Sequence, residues 1–339
     1  MPTNTLSYDA DVFSLLPSLI CPICHSELTR SGDSSSGDSS SGDRLICRNP
    51  ACQTQFPIVD GIPVLINDAN SVFSISDFVN HDDTFFKYPE SKFAAFAWKV
   101  VHMLPTLGDT IGTRERYAEM ARLLLQKTPN PVVLVVGGSI VGQGMGEFLT
   151  NPAIRFVETD ITFGPRTQMI CDSHDIPFRD GTFDGVVAQA VLEHVADPHR
   201  CVDEIHRVLK KTGMVYAEIP FMQQVHGGRY DFLRFTYLGN RRLFRHFTEI
   251  KSGVAGGPGM ALAWAWQYFA LSLVKSRPAR ALVYLITPLT TFWLKYFDRF
   301  LINRVAAYDA ASGYYFLGRR SDEALPDREL ITLYRGSYR

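Results

Sequence analysis

The chain has no excess of either charge: 34 lysines and arginines face 35 aspartates and glutamates, for a formal net charge of −1. It therefore has no overall pull toward a phosphate backbone, and a nucleic-acid contact would need a local basic patch. Unbroken apolar runs of the roughly 20 residues that span a bilayer are also missing. The uncharged stretch Ser252–Val274 opens with Gly256, Gly257, Pro258 and Gly259, and the stretch Ala281–Leu294 is interrupted by Pro288. The first residues, MPTNTLSYDADVFSLLP, show no basic start followed by an apolar run, so no secretory signal is read there. A reducing, cytoplasmic setting is the expectation. Cysteine is scarce, and four of the six cluster as Cys21, Cys24, Cys47 and Cys52, with Cys171 and Cys201 apart.

What is present is ordinary globular material. An apolar fraction of 46% with 20% charged residues excludes wholesale disorder, and 339 residues allow two or three domains. The clustered cysteines form a C-x2-C and a C-x4-C pair separated by 22 residues. Each pair makes one knuckle, and two knuckles complete a tetrahedral thiolate site of the structural zinc type. Such a closed site holds a fold and leaves no coordination position for catalysis. Between the knuckles, SGDSSSGDSSSGD (31–43) repeats a five-residue unit with no apolar side chain to bury, and reads as a flexible loop. The module covers 1–67.

Residues 68–130 read as a helical lead-in, with SKFAAFAWKVVHML (91–104) and TRERYAEMARLLLQK (113–127) as its clearest helices. From 131 to 339 strand and helix alternate. Strands are expected at 132–136, 154–159, 167–171, 184–189 and 213–219, which predicts a Rossmann-like, doubly wound, mostly parallel α/β sheet. Asp197 and Pro198 start a helix whose inner face is Val202, Ile205, Val208 and Leu209; Lys210 and Lys211 suit its end and Gly213 its stop. Two more strands, HFTEIKSGVAG and SGYYFLGRR, flank an apolar helical insertion at about 257–306. Three readings of that insertion stay open: two membrane spans, a cap buried on the sheet, or a hairpin lying in a membrane interface. The buried cap is the leading one. The third draws on the flanking Lys275, Arg277, Arg280, Lys295 and Arg299 and on the aromatic residues between them, and would place the chain peripherally at the inner membrane face.

Ligands of such sheets sit at the carboxyl ends of the strands. Gly137 and Gly138 follow the strand VVLVV, and glycine there lets the backbone approach a ligand with no Cβ in the way. Asp160 lies 23 residues after Gly137 at the next strand end, where a carboxylate can accept from both ribose hydroxyls; Glu158 is its rival. Asp172 ends the third strand and suits an adenine amino group, with the Ser173 backbone meeting a ring nitrogen.

With the glycine turn VVGGSIVGQG, DSHDIPFRDGTFD, VLEHVADP and EIHRVLKKTGMVYAEIP in view, residues 131–240 resemble the class I S-adenosylmethionine-dependent methyltransferases of the type 11 kind. The resemblance implies S-adenosylmethionine as cofactor, with Gly137-Gly138 at its methionyl part, Asp160 at ribose, Asp172 and Ser173 at adenine, and Gln189 near the methyl sulfonium. The chain departs from the pattern in two places. The acid usual within the first strand is Val135, and the second motif glycine is Ser139. The cysteine module followed by FPIVDGIPVLI resembles the small zinc-ribbon proteins that accompany certain tRNA and rRNA methyltransferases, which implies a structural zinc and allows a protein partner at the ribbon.

The loop PFMQQVHGGRYDFLRFT (220–236) follows the last parallel strand and carries His226, Tyr230, Asp231 and Arg234. A base is needed only where the methyl acceptor must lose a proton, and His226 is the expected base with Asp231 as its orienter or a sugar-binding carboxylate. His194, in LEHV, is a second histidine bordering the same region. The layout of this loop and the hydrophobic tail resembles methyltransferases encoded with polysaccharide pathways. The leading expectation is O-methylation of a small molecule or glycan, lipid-linked in one version. An rRNA or tRNA base methyltransferase is the first alternative, and a non-catalytic cofactor-binding or scaffold protein the second.

Overall fold

The structure is a computed structural model that describes residues 12–31, 43–82, 84, 106–108 and 110–337. The helix expected at 91–104, and all of the 31–43 loop but its ends, lie outside the described residues.

The centre of the molecule is β5 (Val132–Val136), a run of four valines around one leucine. A strand covered on both faces must be apolar on both, and this one is. It pairs in parallel with β6 (Arg155–Asp160) on one side and β8 (Phe183–Gln189) on the other. Beyond β6 lies β7 (Met169–Cys171) and beyond β8 lies β9 (Leu209–Pro220), both parallel to their neighbours. Chain order thus reverses between β5 and β8, which creates the crevice where doubly wound sheets bind their ligands. The fold is mixed α/β, as the alternation predicted. An antiparallel β11 (Gly313–Arg320) inserts between β9 and the edge strand β10 (Phe247–Gly256).

The ribbon belongs to this sheet. β1 (Leu28–Arg30), β2 (Arg44–Cys47), β3 (Gln55–Val59) and β4 (Ile62–Leu65) follow one another antiparallel, and β4 then pairs in parallel with β7 through Val64–Ile170 and Leu65–Cys171. Among the described residues, eleven strands form one sheet in the order β1-β2-β3-β4-β7-β6-β5-β8-β9-β11-β10. Leu45 and Phe56 of the ribbon join the same apolar cluster as Leu134, Phe178 and Ile205.

Two helices show how the faces are covered. On one face, α2 (Thr113–Leu125) buries Tyr117, Met120 and Leu124 against Val133, Val135 and Tyr216. The short α1 (Ile75–Val79) precedes α2 in sequence, and α3 (Gly146–Leu149) falls between α2 and the next long helix. On the other face, α4 (Pro198–Val208) buries Cys201, Val202, Ile205 and Val208. The Asp197 carboxylate caps α4 by accepting from the Arg200 amide at 3.1 Å, with Pro198 in the first turn, as expected. Its end differs from expectation. The helix stops at Val208, and Lys210, Lys211 and Gly213 already belong to β9. The strand starts early because Leu209 pairs with Phe183, while the Lys210 ammonium binds the Asp184 carboxylate at 2.9 Å.

After α5 (Tyr237–Leu243), the insertion folds as α6 (Pro258–Ser272), α7 (Arg277–Thr291) and α8 (Leu294–Leu301). The chain closes on the short α9 (Asp327–Leu330). Among the described residues, no helix is long and apolar enough to cross a membrane. The buried-cap expectation is also corrected. Trp266, Phe269, Leu273, Leu285, Trp293 and Phe300 are exposed, Leu273 and Phe300 to 70% and 75%. Helices α6 and α7 bury their small and polar contacts on each other, as where the Gln267 amide donates to the Thr287 hydroxyl, and leave the large apolar side chains outside. The insertion is anchored by Asp298, 1% exposed, whose carboxylate accepts from the Gly259 and Met260 amides at the start of α6.

Candidate functional site

A cavity of about 390 Å³ opens at the carboxyl ends of the parallel strands, and Gly137, Asp160, Asp172, Ser173, Gln189 and Glu218 all line it. Gly137 ends β5 with φ +73°, and a Cβ there would lie 2.5 Å from Val191 Cγ2, so only glycine fits this turn. Gly138 sits behind the wall with its amide donating to the Thr159 carbonyl at 2.9 Å. Ser139, a departure from the motif, keeps the turn intact because its backbone amide donates to the Asp160 carboxylate at 3.0 Å.

The two acids of β6 are placed differently. Asp160 lines the cavity, whereas Glu158 is bound by the Arg166 guanidinium at 2.7 and 2.9 Å. Burial lifts the Glu158 carboxyl to about 7 against the pull of Arg166, and it raises Asp160 as well, against the amide of Ser139.

Asp172 is held from two sides. Its carboxylate accepts from the Ser71 hydroxyl at 2.5 Å and from the His174 amide at 3.0 Å, and lies 2.5 Å from His174 Nδ1. Burial opposes its ionisation, yet His174 and Ser71 together bring its pKa below the ordinary value. Asn67 donates to the neighbouring Asp175 at 3.1 Å. The segment just after β4, ribbon-derived, therefore closes the Asp172 end of the cavity.

Gln189 ends β8 with its amide fully engaged. Its Nε2 donates to Glu218 Oε2 at 2.9 Å and to the Gln143 carbonyl at 3.1 Å, while its Oε1 accepts from the Tyr117 hydroxyl at 3.1 Å. Glu218 is the residue that sequence reasoning missed. It is buried on β9, accepts from the Thr113 hydroxyl at 2.9 Å and from Arg116 Nη2 at 3.0 Å, and meets the Tyr216 hydroxyl in a short contact. The signal was available, since it is the lone carboxylate within the apolar run GMVYAEIP. Val135 packs in the core under α2, and Glu218, two strands away on β9, is a carboxylate that lines the cavity.

The loop 221–236 forms the mouth. Asp231 accepts from the His226 amide at 2.8 Å, from the Gly227 amide at 3.1 Å and from Arg234, so it holds the loop's shape. Arg234, with the two backbone amides, draws its pKa far below the ordinary carboxylate value against the effect of burial. The His226 ring does not line the cavity; its Nε2 points to Glu193 Oε1 at 3.6 Å. His194 does line it.

The four clustered cysteines carry no disulfide, and their sulfurs all lie within 4.8 Å of one another. Cys24 and Cys47 are 3.4 Å apart and Cys21 and Cys52 3.9 Å. Four sulfurs at about 2.3 Å from a central zinc require edges close to these. Burial pushes the Cys21 thiol up; it also opposes ionisation of Cys24, but hydrogen bonds from Ser26, with Cys47 and Cys52, bring Cys24 down to about 6. The donor set suits zinc, in the place sequence reading assigned it.

A family model described as a methyltransferase domain matches residues 148–217, the stretch from α3 through most of β9. That stretch is of the methyltransferase type, in agreement with its motifs. No curated protein matches the chain. Among solved structures, the Burkholderia thailandensis 1,6-didemethyltoxoflavin-N1-methyltransferase is similar with 14% identity and a TM-score of 0.37, covering 71% of this chain and 93% of its own. A Haemonchus contortus phosphoethanolamine N-methyltransferase 2 aligns with 13% identity and a TM-score of 0.40, over 68% of this chain and 57% of its own. The [4+2]-cyclase SpnF aligns with 15% identity and a TM-score of 0.35, over 60% and 80%. At such scores these structures carry no argument about ligand or reaction.

Proposed function

We propose that the chain transfers the methyl group of S-adenosylmethionine to an oxygen of a small-molecule or glycan acceptor presented at a lipid surface. The observation that carries the methyl-donor half is the single cavity in which Gly137, Asp160, Asp172 and Gln189 meet, three of them within the matched segment. When bound, S-adenosylmethionine supplies a sulfonium-activated methyl, whose carbon–sulfur bond breaks as a bond to the acceptor oxygen forms while the acceptor's proton leaves to water. Gly137 lets the backbone approach the methionyl part, Asp160 accepts from the ribose hydroxyls, and Asp172 with the Ser173 amide reads the adenine. Gln189 is held by three partners and cannot swing, so it fixes the approach line; in-line transfer gains most from such alignment. The loop at 221–236 delivers the acceptor, and Asp231 keeps it folded.

The lipid half of the reading rests on the insertion. Met260 of α6 lines the cavity, and the Tyr268 hydroxyl donates to the Val225 carbonyl of the acceptor loop, so the insertion adjoins the place where the acceptor enters. Its outer face combines exposed Trp266, Phe269, Leu273, Trp293 and Phe300 with Lys275, Arg277, Arg280, Arg299 and Arg304. No acid occurs from Lys251 to Phe297, and the next, Asp298, is buried. An apolar face ringed by cations complements an anionic lipid leaflet.

Calorimetric titration with S-adenosylmethionine tests the donor half, and Asp160→Ala is expected to weaken binding by at least about tenfold, the loss of two hydroxyl contacts to a carboxylate. Absence of binding to the full-length protein overturns it. Transfer of labelled methyl to the lipid-linked saccharide fraction of a cell extract supports the acceptor half. Labelling of RNA alone overturns that half and leaves the donor half standing.

A further inference from the structure

Glu193 has an unusual position. It follows β8, is 0% exposed, and among the described residues neither of its carboxylate oxygens has a hydrogen-bond partner. A buried carboxylate without donors is strongly disfavoured unless a cation meets it. Two imidazoles are turned to it. His194 Nε2 lies 3.7 Å and His226 Nε2 3.6 Å from Glu193 Oε1, both beyond hydrogen-bond length. The three donor atoms all lie within 4.8 Å of one another.

The far nitrogens of both rings are already committed. His194 Nδ1 is 3.0 Å from the Tyr230 carbonyl, and His226 Nδ1 is 3.2 Å from the Gln224 carbonyl and 3.6 Å from the Asp231 carboxylate. Carbonyl oxygens only accept, so each Nδ1 carries a hydrogen, and in the neutral ring Nε2 is then the nitrogen that can ligate a cation. Arg234 Nη2, 3.4 Å from His226 Nδ1, donates instead to the Gln224 carbonyl and to Asp231. Backbone-oriented histidines of this kind are what surround bound metals. The loop is tied to the cluster as well, because the Phe232 amide donates to the Glu193 carbonyl at 2.8 Å.

We propose that Glu193, His194 and His226 bind a divalent first-row transition metal, zinc or a neighbour in the series. The donors are two imidazoles and a carboxylate, the set that such cations favour over magnesium or calcium. Metal–ligand lengths of about 2.0–2.1 Å span donor separations up to about 4 Å, so the two measured edges fit, and the third is no longer than 4.8 Å. Glu193 and Asp231 against Arg234 leave one net negative charge to receive the dication. The His226 side chain is 25% exposed, so coordination positions stay open to an incoming oxygen ligand. This contrasts with the closed cysteine site.

The consequence for chemistry rests on the methyl-transfer reading above. His194 lines the cavity, so a metal on its Nε2 stands at the acceptor's entrance. A hydroxyl bound there is acidified, as water is on zinc, and sheds its proton to solvent without a histidine base.

The test needs neither cofactor nor acceptor, so its failure is separate from failure of the methyl-transfer reading. Full-length protein stripped of metal is titrated with cobalt(II). Two equivalents are expected: one with an intense thiolate-to-cobalt band from the cysteines, one with only weak visible bands. Glu193→Gln and His226→Ala are each expected to bind one equivalent and to keep the thiolate band, which also reports that the ribbon is folded. A single equivalent in the wild-type protein, the result of a protonated-histidine ion pair with Glu193, overturns the proposal. So does a second equivalent that survives both substitutions. The wild-type stoichiometry decides even if a variant fails to fold.

Discussion

The cavity has two unlike walls. On the strand-end wall, Asp160, Asp172, Gln189 and Glu218 are each held by named partners, from Ser139 to Ser71, Tyr117 and Arg116. On the other side, the insertion contributes Met260 and turns a bare apolar face outward. One wall is satisfied within the chain and therefore preorganised for a polar ligand of fixed shape. The other is unsatisfied within the chain, and its chemistry describes something the chain meets. Under the proposed function, the difference separates the part that would recognise the methyl donor from the part that would meet the acceptor.

The comparison breaks most severely at the ribbon, which props up only the polar wall. β4 pairs with β7, and Ser71 and Asn67 reach Asp172 and Asp175. Structural zinc in small domains contributes an apparent 10–16 kcal/mol or so, comparable to or above the ~5–15 kcal/mol that stabilises a whole domain. Cys24→Ser is therefore expected to unfold the ribbon, lower the melting temperature and abolish measurable S-adenosylmethionine binding, as read by differential scanning calorimetry and titration. A variant that melts with the wild type and binds equally well would detach the ribbon from the polar wall.

A smaller effect is expected inside that wall. Glu218 neutralises Arg116, itself only 6% exposed. Glu218→Gln leaves the guanidinium buried without its counter-charge, at a cost of about 3–5 kcal/mol. Urea unfolding measures it, and Arg116→Met in the same background is expected to recover much of the loss. If the double variant is no more stable than the single one, the pair is not what holds Glu218 in place.

The same divide governs what could be read in the sequence. The polar wall was legible because its residues sit at strand ends, where period and turn chemistry mark them: Gly137 by its turn, Asp160 and Asp172 by ending apolar runs. The cysteines were legible by spacing alone. Glu218 was overlooked because it lies inside a strand, and its significance comes from Arg116 about a hundred residues away. Glu193 was passed over for His194 beside it, since burial without a partner is invisible in one dimension. The end of α4 was misplaced because β9 begins early to reach Phe183, a tertiary demand that overrides the helix-stop signal of Gly213. The insertion misled for a related reason: apolar content suggested burial, and only packing shows which face is left outside.

The mildest test addresses the insertion's outward apolar face, which lies outside the cavity. Leu273 and Phe300 are the most exposed large apolar side chains on the insertion, and neither touches the cavity. Full burial of such a side chain is worth about 1.5–3 kcal/mol, and an interfacial position recovers only part of that. Each basic residue near an anionic surface adds about 1 kcal/mol. Leu273→Glu with Phe300→Glu is therefore expected to weaken co-sedimentation with phosphatidylglycerol vesicles by roughly tenfold or more, a loss of about 1.4 kcal/mol or above. Binding of S-adenosylmethionine should stay unchanged, because the substitutions leave the polar wall alone. Equal binding to phosphatidylcholine vesicles would remove the cations from the account and leave apolar contact. If the wild-type protein sediments with neither, the lipid half of the proposed function falls while the methyl-donor half stands.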